Sequence, residues 1–284
     1  MRISPAALSP FLLATLTACQ VDLATDCSKT AHRAARLELA GVSRIVLDTG
    51  AGELLVTGRA DTTVLEAEGT ACAGTEARLD DLQIFHEKRG EVLHLWTDRS
   101  QEPQIRIGWV EDSGRLDLTV QVPSNLPIDI DDGSGGTVIK SVSTLRLEDG
   151  SGDLDLADLR GDVTIEDGSG SLTLVGADGN VRIEDGSGEV AITGVKGDVV
   201  AEDGSGDLTI RQVGGAVTIT EDGSGEIAIT GAGRGVHIRN DGSGSIVLRD
   251  ITGDVRVEED GSGTIETSGV TGKVEIPEGK RRDR

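Results

Sequence analysis

The tetrapeptide Asp-Gly-Ser-Gly begins at Asp132, Asp149, Asp167, Asp185, Asp203, Asp222, Asp241 and Asp260, at spacings of 17, 18, 18, 18, 19, 19 and 19 residues. A short period held over so many copies means stacked units, because one unit is too small to bury its own core. Within Asp149 to Glu166, Leu154 and Leu156 alternate with Asp153 and Asp155, which predicts a half-buried strand. Leu159 follows at a corner and Gly161 marks a second turn. Val163 and Ile165 then alternate with Thr164 and Glu166 in a second strand.

The columns of the repeat agree with this reading. The position of Leu154 becomes Leu172, Val190, Leu208, Ile227, Ile246 and Ile265, and the position of Val163 is valine in every later unit through Val274. β-Branched residues repeated in one column suit stacked parallel strands. The expected fold is all-β: a right-handed parallel β-solenoid of two sheets with coils of about 18 residues, capped by a β-rich N-terminal region. A propeller blade needs about 40 residues per repeat. A helical repeat does not alternate with period two.

Residues 132–277 form the repeat region and residues 278–284 a basic tail, read as a solvated terminus, with contact to anionic lipid or polysaccharide phosphate as the alternative. Residues 41–131 are read as a β-rich region containing a degenerate coil, Ser43 to Gly58, with Asp-Thr-Gly-Ala-Gly at its turn. A hairpin is expected over Leu82 to Trp96, around Lys88-Arg89-Gly90. Leu116 to Val122 is expected to lead as a strand into the repeats.

Residues 1–18 read as a secretory signal: one charge, Arg2, then a mostly apolar run too short to span a bilayer as a stable helix. The segment Leu16-Thr17-Ala18-Cys19 resembles the lipobox of bacterial lipoproteins. That resemblance implies cleavage before Cys19 and its acylation, with 19–40 as anchor and linker. Several acyl chains hold a protein on a membrane almost permanently. Gln20, rather than Asp, after the cysteine implies sorting to the outer membrane, on its periplasmic face or at the cell surface. With Cys19 lipidated in an oxidising compartment, Cys27 and Cys72 most simply pair. The alternative is a reactive thiol, for which no neighbouring His or basic cluster is evident.

The formal charge of −23 repels nucleic acid and attracts cations. From Asp132 onward there is no Phe, Tyr or Trp, so the repeats offer neither base stacking nor large aromatic anchors. Phe85, Trp96 and Trp109 lie in the N-terminal region and are read as core, with a partner-binding surface as the alternative.

Chemistry in the repeat is read in two ways. The first is structural: each Asp caps its own Gly-Ser-Gly turn by accepting amide hydrogen bonds. Glu148, Glu166, Glu184, Glu202, Glu221 and Glu259 precede it, and stacking lines the acids along a solvated ridge. Like charges about 4.8 Å apart in water repel by only about 0.9 kcal/mol. The second reading is a row of Ca²⁺ or Mg²⁺ ions held by Asp149, Asp167, Asp185, Asp203, Asp222, Asp241 and Asp260. The calcium-binding nonapeptide of other solenoids has a different spacing. No cofactor is expected on the first reading, calcium on the second. A polysaccharide-acting enzyme is the third possibility, but no unique pair of carboxylates stands out as acid and base. His32, His86, His94 and His237 are scattered.

The run Val122-Pro123-Ser124-Asn125-Leu126-Pro127, the Gly-Ser-Gly-acidic-aliphatic repeats, and the ending Val270-Thr271-Gly272-Lys273-Val274-Glu275-Ile276-Pro277 resemble the DUF4097 family of "putative adhesins", over roughly residues 40 to 277. The resemblance implies a bacterial β-solenoid envelope protein and supplies no catalytic residues. The expectation is a non-catalytic envelope lipoprotein, an adhesin or scaffold. Its partners would be the membrane, through its anchor, and an envelope protein or glycan.

Overall fold

The computed structural model describes residues 27–98, 114–279 and 281–283. The signal segment, Cys19 and Trp109 lie outside the described residues. The chain is a β-solenoid of about eight turns made of stacked parallel coils.

Each repeat coil contributes one strand to each of two ladders. One ladder holds β8 (Ile128–Ser134), β10 (Leu145–Asp149), β12 (Val163–Asp167), β14 (Val181–Asp185), β16 (Val199–Asp203) and β18 (Val217–Asp222). The other holds β9 (Thr137–Lys140), β11 (Leu154–Leu159), β13 (Leu172–Ala177), β15 (Val190–Val195), β17 (Leu208–Val213) and β19 (Gly225–Ala232). In the last full coils, β20 (Val236–Arg249) and β21 (Val255–Ser268) run through the turn and belong to both ladders. Register places equal repeat positions side by side: Val163 pairs with Val181, and Val181 with Val199. The inward columns of Val, Ile and Leu are almost wholly buried. The extra residue of the first 19-residue coil is taken up as a bulge beside Ala201 and Glu202, where Thr220 is inserted.

The second glycine of each turn permits the close stacking of coils. Gly188 has φ +148°, and a Cβ there would stand 1.6 Å from the Gly170 carbonyl oxygen. Only glycine satisfies both conditions.

The N-terminal region is a continuation of the stack with an unusual path. β2 (Arg44–Ala51) and β3 (Leu54–Arg59) form the degenerate coil, pairing in parallel with β8 and β9. Their other edges pair in parallel with β6 (Val92–Asp98) and β7 (Gly114–Pro123), which make a further coil outside them. The chain thus lays its second coil behind its first before returning to extend the rod. β4 (Val64–Ala73) runs antiparallel on β7, and β1 (Lys29–Glu38) antiparallel on β4. The expected hairpin is present as β5 (Leu82–Arg89) with β6.

Several expectations need correction. Residues 29–38, assigned to the linker, form β1. Its sequence has few β-formers, and the β4 edge supplies the order that local propensity lacks. The basic tail contains the short strand β23 (Arg281–Asp283), paired with β21. Phe85 and Trp96 are outside the core: Leu93, Leu95 and Thr97 take the buried face of β6. The two rings instead stack on each other on the half-exposed face, with centroids 5.6 Å apart. A six-residue helix, α1 (Glu76–Asp81), capped by Thr75, precedes the hairpin. It carries Arg78, whose guanidinium grips the Asp98 carboxylate with both nitrogens in a mostly buried ion pair. Cys27 and Cys72 are joined as a disulfide, with Cα atoms 5.2 Å apart, tying the chain ahead of β1 to β4.

Candidate functional site

The aspartate of each turn continues the alternation of the strand before it. In β12, Val163, Ile165 and Asp167 share the inward face, while Thr164 and Glu166 face out. The solvated ridge expected from the sequence is therefore split in two. The glutamates are exposed, and the aspartates are inside. Asp149, Asp167, Asp185, Asp203, Asp222 and Asp241 are each at least nine-tenths buried. The period-two rule applied one residue further would have found this.

Strand register stacks these residues directly: Asp132 pairs with Asp149, then Asp167, Asp185, Asp203, Asp222, Asp241 and Asp260 in turn. Parallel coils stand about 4.8 Å apart, so the carboxyls form a continuous column. Over the middle of the rod it underlies a cleft of about 580 Å³, whose outer wall is Glu148, Glu166, Glu184, Glu202 and Glu221. Arg146 pairs with Glu148 and Glu166, and Arg182 with Glu184, at 2.6–2.9 Å. Among the described residues, no Lys or Arg forms an ion pair with Asp132, Asp149, Asp167, Asp185, Asp203 or Asp222.

The aspartates differ in what holds them. Asp132 accepts hydrogen bonds from Thr49 Oγ1 at 2.7 Å and Thr137 Oγ1 at 2.6 Å. Asp167 accepts one from the Ser169 amide at 3.2 Å, which is the turn cap expected for every repeat. Neither oxygen of Asp149, Asp185 or Asp222 receives a hydrogen bond from an amide, a hydroxyl or a cation. What lies within reach of each is the carboxyl of the coil above and of the coil below.

The electrostatics follow this division. Burial, and then repulsion from Asp132 and Asp167, pushes the Asp149 carboxyl up to about 7. Asp185 is pushed up to about 7 by burial and by Asp167 and Asp203. Asp222 is pushed up to about 8 by burial and by Asp241 and Asp203. Burial also raises Asp132, Asp167 and Asp203. In these three it is opposed by hydrogen bonds that favour the anion: the two threonines at Asp132, and an amide and neighbouring carboxyls at Asp167 and Asp203. From Asp132 to Asp185, donor-held and donor-free carboxyls therefore alternate along the rod.

Thr49 and Thr137 were not singled out in the sequence. The signal for Thr49 is the degenerate turn, in which Thr49-Gly50-Ala51-Gly52 aligns with Asp-Gly-Ser-Gly. The candidate metal ligands come together as stacked pairs. Among the described residues, no three His, Cys, Asp or Glu side chains converge on one point. His237 contacts Glu258 at 2.9 Å on the surface. His86 and His94 occupy separate positions on the hairpin.

No family model matches the chain, and no curated protein matches it. Among solved structures it is similar to a "putative cell adhesion protein" from Clostridium sporogenes, at 14% identity and TM-score 0.35, covering 87% of this chain and 100% of that one. It is similar to a "putative adhesin" from Bacteroides fragilis, at 16% identity and TM-score 0.43, covering 87% and 97%. A "putative lipid binding protein" from Parabacteroides distasonis gives 13% identity and TM-score 0.40, covering 86% and 97%.

Proposed function

We propose that this chain is a non-catalytic cell-envelope lipoprotein, anchored at Cys19 in the outer membrane, that presents a rigid acidic rod as an adhesin-like or scaffold surface. The observation that carries this reading is the register of the coils. It repeats one exposed glutamate per coil beside a straight cleft, from Glu148 to Glu221. A surface of one charge sign with a fixed repeat suits a partner carrying its own repeated cationic groups. Each coil is pinned by the next through backbone hydrogen bonds, so the spacing of the charges is rigid.

The test uses the full-length protein in a bacterial host. Cys19→Ser should release it from the membrane fraction and abolish acyl-chain labelling. E166Q/E184Q/E202Q should leave its circular dichroism intact and weaken cell adhesion to surfaces coated with a basic polymer. A Cys19→Ser protein that stays membrane-bound would sink the anchor. Undiminished adhesion of the glutamine variant would sink the acidic face.

A further inference from the structure

We infer that the inward aspartates form a proton-sharing column in which Asp149, Asp185 and Asp222 stay carboxylic acids up to near-neutral pH, each donating its proton to the carboxylate of an adjacent coil. This stands independently of where the rod is anchored or what it meets outside.

The argument starts from a deficit. A buried carboxylate needs hydrogen-bond donors or a counter-charge. Asp149, Asp185 and Asp222 are at least nine-tenths buried and have neither. Along their own ladder stand the carboxyls of Asp132, Asp167, Asp203 and Asp241, from β8, β12, β16 and β20. The opposite ladder turns apolar Leu154, Leu172, Val190 and Leu208 inward, with the Thr137 hydroxyl at its start. The remaining nearby charges are also acidic: Asp131 acts on Asp132, and Asp207 on Asp203.

A metal ion or a proton can bridge two carboxyls directly. Calcium takes six to eight oxygen ligands, whereas each gap here is flanked by two carboxyls. A proton needs only one donor and one acceptor. It turns the contact between neighbouring coils from repulsion into a short charge-assisted hydrogen bond. The alternation fixes which partner keeps it. The Ser169 amide and the two threonine hydroxyls favour the anion at Asp167 and Asp132. Asp149 and Asp185, the donor-free residues on either side of Asp167, take the protons there, and Asp222 continues the pattern beyond Asp203.

The consequence for stability has a definite sign. An unfolded aspartate titrates near 3.9, and these three titrate near 7 to 8 in the folded chain. Between about pH 4 and pH 7 the folded state binds more protons than the unfolded state. The column's contribution is therefore greatest in acid. It is lost as pH rises from about 4 through the folded values of about 7 to 8, and levels off only beyond them.

The deciding experiment is a carbon-13 titration of the aspartate carboxyls in the intact protein, paired with melting temperature against pH. Three carboxyl resonances should titrate with midpoints near 7 to 8, and refolding near pH 6 should take up about three protons per molecule. D149N/D185N/D222N should remove those resonances and flatten the fall in melting temperature between pH 5 and 8. Single D185N should remove one resonance and about one proton, which keeps the test usable if the triple variant does not fold. Aspartates all titrating below pH 5 would overturn the inference. So would a saturable calcium transition at pH 7 that raises the melting temperature and vanishes in D185N.

Discussion

Thr49 occupies in the degenerate coil the place that Asp132 occupies in the next, and its hydroxyl donates to Asp132 Oδ1 over 2.7 Å. With Thr137 on the other oxygen, Asp132 is held by two side-chain donors. The acidic series therefore begins against a neutral, hydrogen-bonding end.

Thr49→Val keeps the shape and removes one donor from a buried carboxylate. The expected loss is about 2 kcal/mol at pH 7, within the range for a hydrogen bond to a charged group. Urea unfolding should show it. The loss should shrink in acid, where Asp132 takes up a proton and no longer depends on the hydroxyl to support a charge.

Gly188→Ala should cost more than about 4 kcal/mol or prevent folding, because the new Cβ would stand 1.6 Å from the backbone of the coil beside it. Gly90 is the control. It also has positive φ, +64°, but open space around it. Gly90→Ala should cost only about 1 kcal/mol of backbone strain. Equal melting temperatures for the two variants would mean that the coils can separate to admit a methyl group.

The strand architecture was legible in the sequence because solenoid strands obey period two and each unit repeats the evidence. Leu154, Val163 and Leu159 all sit where the repeat puts them. The placement of Asp167 was missed because Asp-Gly-Ser-Gly reads locally as a turn, and local turn chemistry draws the Asp toward solvent. Its burial follows instead from the strand alternation carried one residue into the turn. The path of β6 and β7 behind β2 and β3 was equally hidden. Pairing between residues far apart in sequence is set by tertiary fit, and Arg44 to Ala51 alone does not reveal that its strand has partners on both edges.

The Cys27–Cys72 bridge closes a separation of 45 residues. Loop-closure entropy then gives it up to about 4 kcal/mol of stabilisation. C27S/C72S should lower the urea midpoint accordingly, and a reducing agent should shift the parent protein and leave the variant unmoved.

Arg78→Met should cost about 3–5 kcal/mol by breaking this mostly buried ion pair. Adding Asp98→Asn should restore much of that loss. A double variant as unstable as the single one would show that Arg78 acts through packing rather than charge.

The threonine-held end gives the column a phase. Asp132 is set as an acceptor, and the coils next to it take their proton arrangement from that end. Excising one 18-residue coil, such as Gly168 to Asp185, leaves every turn and every hydrophobic contact of the repeat in kind. It nevertheless removes Asp185 and sets Asp203 directly against Asp167. The number of repeats therefore decides which aspartates meet, as well as how long the rod is.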